Sequence, residues 1–328
     1  MATFTWLLSP SGQATVASTR ELPGLIGAIA VTVPLANGPT LVEASHPRWG
    51  GEERPIPWGH SCRSSLLAMV EHALLPAVTR ILQRVEAVSG LPVAVAQEPG
   101  LSTLATLKPA NKERQAHLIL FRQDDEASSY HVAFEAALLL RLVEVPQELR
   151  VNLTEKREAR EQVVSQVEKL HKGKLPLARA RELGLGFYNG LMVQLRSIGP
   201  GLCADRWLFE EAPELRGLQA AVLQEQVQQN VPSLNADIDR LAPAAVVKAS
   251  RGMNAAYAFQ AAELVGLPPL AVPYQAAGFE VLARELIATT REQATTADPD
   301  REMIDAWAEK LGIARWYNWQ PAYPAGVC

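Results

Sequence analysis

SSYHVAFEAALLLRL, residues 128–142, is the stretch on which the reading of this chain turns. Apolar side chains fill most of its positions, so it reads as a helix buried on more than one face. It follows HLILF, residues 117–121, a short apolar run that reads as a strand. One acid, Glu135, sits mid-helix between Phe134 and Ala136. A carboxyl group in such surroundings is either paired or has a raised pKa. Arg141, Arg206 and His131 are the candidate partners, and a raised pKa would suit a general acid or base. His131 and Glu135 are also four residues apart, on one side of the helix.

Upstream, SSLLAMVEHALLPAVTRILQRVEAVSG from Ser64 has helical apolar spacing and ends at Gly90, a C-cap residue; Pro76 kinks or splits it. LPVAVAQ, STLATLK and AHLILF then read as three strands, so residues 64–142 run helix, strand, strand, strand, helix. Residues 1–58 are β-rich, with FTWLL, TVAST, GAIAVTV and TLVEA as short strands between turn signals. After residue 150 the pattern is helical. Thr154 is read as the cap of TEKREAREQVVSQVEKL, and LARARELGLGFYNGLMVQLRSI and LCADRWLFEEA as separate helices. Asp298, Pro299 and Gly312 delimit a last helix, with Ile304, Trp307 and Leu311 on one stripe, before the aromatic tail ARWYNWQPAYP. The expected organisation is a β-rich segment 1–58, an α/β core 59–150 and a helical domain 151–328 carrying that tail.

Composition narrows the function classes. The 328 residues are 48% hydrophobic and 20% charged, enough for a sizeable core, and the net charge of −4 offers no basic surface for nucleic acid. Cys62, Cys203 and Cys328 form no Cys-x-x-Cys pair, so neither a disulfide framework nor a thiolate zinc site is indicated. No apolar run reaches about 18 residues and no signal peptide is recognisable, so no membrane association and a cytoplasmic location are expected. His60 and Cys62 in WGHSCRSS fit either a loop before a helix or an activated thiol. LGLGFYNG lacks the order of a phosphate-binding loop and reads as close helix packing.

Zinc peptidases bind metal through His-Glu-x-x-His on a helix, two imidazoles one turn apart with the glutamate activating water. Here the slots read Phe134, Glu135, Ala136, Ala137 and Leu138. With HLILF before it and CADRWLFEE after it, this helix resembles the zincin and gluzincin-type metallopeptidases, most closely the ImmA/IrrE-like family, over residues 64 to about 211. The resemblance implies an α+β fold: a small β-rich N-terminal segment, a zincin-like helix–sheet–helix core and a largely α-helical C-terminal half. It implies a cleft bordered by His131, Phe134, Leu138, Asp205, Arg206 and Glu210, with Asp205 or Glu210 as the downstream acid and Glu135 as the remaining catalytic group. Phe134 and Leu138 cannot ligate a metal. The implication is therefore a metallopeptidase-like shape that has lost catalysis, holds no cofactor and binds a protein or peptide partner. The alternative is a hydrolase with a shifted zinc site on His131, Glu135 and Asp205, with His117 in reserve. A third reading is a homo-oligomer built through the aromatic tail.

Overall fold

The computed structural model of the chain describes residues 74–123, 125–292 and 296–322. The four N-terminal strands expected before residue 58, the loop with His60 and Cys62, and residues 64–73 of the first expected helix lie outside the described residues. Helix α1 (Pro76–Ser89) begins at Pro76. Leu75 before it is extended (φ −56°, ψ 144°), so the helix does not run through the proline but starts on it, where the missing N–H costs nothing. Its buried stripe is Ala77, Val78, Ile81, Leu82 and Val85, and Gly90 ends it at φ 70°.

Strands β1 (Val93–Gln97), β2 (Ala105–Lys108) and β3 (His117–Phe121) form a sheet in the order β1-β3-β2. β3 is parallel to β1 and antiparallel to β2, and Ile119, fully buried, pairs with Val95 on one side and Leu107 on the other. Helix α2 (Glu126–Glu144) follows. Asp125 and Ser128 exchange side chain-to-backbone bonds of 3.0 Å across its first turn, a capping box that fixes where the helix starts. α2 packs on α1 and the sheet, and these elements share one apolar core with Ala204, Leu208, Leu215 and Val222 from further down the chain.

The remainder is mostly helical: α3 (Arg157–Leu170), α4 (Leu177–Glu211), α5 (Arg216–Asn230), α6 (Ala244–Val265), α7 (Val272–Ala276), α8 (Glu280–Glu292) and α9 (Pro299–Leu311). These helices build a second core around Tyr188, Leu195, Met253, Tyr274 and Trp307. The fold is α+β with a largely helical C-terminal half. α4 belongs to both cores, through Phe187–Leu202 to the second and through Ala204 and Leu208 to the first. With α5, which gives Val222 to the first core and Leu223 and Val227 to the second, it joins the two halves.

Two readings change. Thr154 caps no helix. It lies in strand β4 (Val151–Glu155), which pairs antiparallel with β5 (Tyr317–Pro321), and α3 starts only after Lys156. The two helices expected on either side of Pro200 are one helix of 35 residues. Here α4 is gripped from outside: a Cβ on Gly201 would lie 3.3 Å from the Phe134 ring of α2. The helix runs on through the proline while packed against α2, α3, α6 and α9. LGLGFYNG is a packing seam as read, since a Cβ on Gly184 would come within 2.7 Å of the Val164 Cα of α3.

Candidate functional site

Tyr130 on α2 and Asp205 on α4 face each other where the two halves meet. Both are buried, and the Tyr130 hydroxyl donates to Asp205 Oδ1 at 2.5 Å. Gln219 of α5, fully buried, donates to the Asp205 backbone carbonyl at 2.7 Å and reaches its Oδ1 at 3.4 Å. Tyr257 of α6 donates to Gln226 Oε1 of α5. These groups enclose a cavity of about 10 Å³, lined by Tyr130, His131, Phe134, Asp205, Gln226 and Tyr257 among others. That volume holds one water and no substrate.

Burial sets the protonation of this region. It pushes the Asp205 carboxyl up to about 7, against the lowering effect of the bonds from Tyr130 and Gln219. It drives the Tyr130 and Tyr257 phenols well above their ordinary value, with the nearby Asp205 charge adding to the effect. The His131 imidazole, although its residue keeps some exposed surface, is pushed down to about 4, again chiefly by burial.

Glu135 does not line this cavity. Five residues on from Tyr130, its Cβ is turned roughly 140° away around the helix. It is fully buried, and neither carboxylate oxygen has a hydrogen-bond partner among the described residues. The pairing expected from sequence is therefore absent. Arg141 bonds Asp300 of α9 instead, Arg206 lies 3.7 Å from Glu263 of α6, and His131 gives Glu135 no hydrogen bond. Burial raises the Glu135 carboxyl to about 8, so it is mostly neutral at pH 7.

The other expected cleft residues disperse. Phe134 lines the cavity and packs against Gly201. Leu138 is buried in the first core. Glu210 is exposed near the C-terminal end of α4 and does not line the Tyr130–Asp205 cavity. His117 is buried in β3; its Nδ1 accepts the Ala110 amide at 3.0 Å, and burial, aided by Arg114 and Arg150, lowers it to about 4. Among the described residues no three His, Cys, Asp or Glu side chains are placed to hold a metal ion. The shifted set of His131, Glu135, Asp205 and His117 does not converge. Its donors are directed elsewhere: Asp205 to Tyr130 and Gln219, His117 to a backbone amide.

Sequence reading missed Tyr130, Gln219, Gln226 and Tyr257. The one available signal was Tyr130, a phenol in an otherwise apolar helix, which must find a polar partner when buried. That the partner would be Asp205, 75 residues on, was not legible. No family model, no curated protein and no solved structure matches the chain.

Proposed function

We propose that this chain is a metallopeptidase-like protein without catalysis that works as a binding or regulatory module for a protein or peptide partner. One observation carries the reading. The two helix positions that would hold imidazoles are packing positions: Phe134 presses on Gly201 of α4, and Leu138 is buried in the first core. Restoring histidines there would open the contact between the halves and leave ring nitrogens in an apolar interior. Glu135 supports the same reading, because its carboxyl is fully buried, does not line the Tyr130–Asp205 cavity and has no hydrogen bond among the described residues. The role left for α2 is to keep its half of the molecule rigid for recognition.

Incubating the purified full chain with an unfolded protein substrate and with zinc tests this. No peptide bond should be cleaved, and zinc should not bind stoichiometrically. Cleavage that Glu135→Gln abolishes, or about one zinc per chain lost in His131→Ala, would overturn the reading in favour of a metal-dependent hydrolase.

A further inference from the structure

The register of the small sheet pairs Val151 with Pro321, Leu153 with Trp319 and Glu155 with Tyr317. At its ends Lys156 N–H donates to the Trp316 carbonyl at 3.3 Å and Ala322 N–H to the Arg150 carbonyl at 2.8 Å. Bonded and non-bonded pairs alternate along an antiparallel ladder. Positions 150, 152, 154 and 156 therefore turn their backbone groups toward β5. Val151, Leu153 and Glu155 turn theirs outward. Among the described residues no third strand joins this sheet, and none of the three outward amides has a partner. The same alternation turns Tyr317, Trp319 and Pro321 outward on the far side.

The two edges differ. β5 carries Pro321 at an outward position, where the missing N–H interrupts any further ladder. β4, VNLTE, carries neither proline nor lysine, and its one charge, Glu155, lies at the C-terminal end of the strand, paired with Arg160 at 2.9 Å. Beside it Leu149 is 39% exposed, and Val151 and Leu153 are half-buried. Just past the C-terminal end of β4 lies a groove of about 550 Å³, bordered by Lys156, Glu158, Gln162, Glu309, Arg315 and Trp316.

We propose that β4 is a docking edge on which an extended segment of a partner protein adds as a third strand, with aliphatic side chains at alternate positions meeting Leu149, Val151 and Leu153. This rests on the reading of the chain as a binding module. The occupant is a peptide strand and not a second copy joined through β4. Five residues of edge fall far short of the roughly 20–30 residues a side that hold two folded proteins together. A peptide that draws its affinity from backbone bonds needs only the edge and a pocket for a side chain. Lys156 and Arg315 are balanced in the groove by Glu158 and Glu309, so the segment needs no net charge.

Amide hydrogen exchange of the full chain, read residue by residue, tests this. Without peptide, the Val151, Leu153 and Glu155 amides should exchange freely while Asn152 and Thr154 are protected. A capped pentapeptide alternating threonine and valine should slow the three outward amides saturably, by about tenfold or more. The same peptide N-methylated at its edge-facing residues should not. Val151→Pro removes an amide that bonds nothing among the described residues, so it should fold and lose the effect. Should that variant fail to fold, the N-methylated peptide supplies the same contrast on the unaltered chain. Outward amides already protected in the peptide-free protein, no saturable slowing at millimolar peptide, or equal slowing by the N-methylated peptide would each overturn the proposal. Cleavage of the peptide, read by mass, would instead overturn the loss of catalysis and leave the docking edge standing.

Discussion

Glu135 on α2 and Trp307 on α9 are both fully buried, and the chain treats their polar atoms in opposite ways. The Trp307 indole N–H donates to the Leu286 carbonyl at 2.9 Å, and the rings after it are tied down as well. Tyr317 and Trp319 both donate to Asp305 Oδ1, at 2.5 and 2.8 Å. Trp316 stays half-buried, stacked on Tyr188, whose hydroxyl donates to its carbonyl. Trp307, Tyr317 and Trp319 are thus docked on the chain's own body with their polar atoms satisfied. Glu135 has no such partner among the described residues. A buried group with its partners in place stabilises a fold; one without them persists only by staying neutral. Around Trp307 the buried polar atoms are paired, whereas Glu135 sits in the apolar packing of α2 with no hydrogen bond among the described residues.

Breaking the satisfied side should have the largest effect. Trp307→Ala removes the largest fully buried side chain among the described residues and leaves a cavity among α4, α8 and α9. It should cost about 3–5 kcal/mol in denaturant unfolding. A loss below about 1 kcal/mol would mean that α9 is not part of the core. Asp305→Ala strips two donors, Tyr317 and Trp319, of their acceptor without opening a large void. A loss of about 1–2 kcal/mol is expected, with the β5 amides exchanging faster than those of α4. Unchanged exchange in β5 would show that backbone pairing with β4 holds the strand unaided.

What was legible in the sequence follows the range of the interactions. The order from α1 to α2 could be read because each element announces itself locally: Gly90 closes α1, and β1–β3 are short apolar runs separated by turn residues. Asp298, whose side chain accepts the Arg301 amide, and Gly312 at φ 74° mark α9 in the same way. β4 was misread because its partner β5 lies more than 160 residues away, and a threonine before charged residues gives the local signal of a helix cap. α4 was read as two separate helices because a proline breaks an unsupported helix, whereas here the segment is packed against α2, α3, α6 and α9. The candidate site failed for the same reason. Asp205 was read as a cleft acid; it is buried instead, and its partners Tyr130 and Gln219 come from α2 and α5.

The sharpest test of the contrast is the titration of Glu135. Its carboxyl and that of Asp205 are raised in the folded state, to about 8 and about 7, so between their ordinary values and these the folded chain holds protons that the unfolded chain has released. Stability contributed by these acids therefore falls as pH rises through that window. His117 and His131, lowered to about 4, work the other way: they stabilise above their ordinary value and lose that contribution as pH falls from 6.5 toward 4. The opposing slopes offset each other between about 4.5 and 6.5, and above 6.5 only the acids remain. Stability should drop from pH 6.5 to 8, and Glu135→Met should remove most of the drop while raising stability at pH 8 by about 1–3 kcal/mol. The direct measurement is the carbon-13 titration of the Glu135 carboxyl in the folded chain, assigned by its disappearance in Glu135→Gln. A midpoint near 8 is predicted. A midpoint near the ordinary 4.5 would mean an ionised, partnered acid, and would contradict the account of α2 as a packing helix without catalytic function.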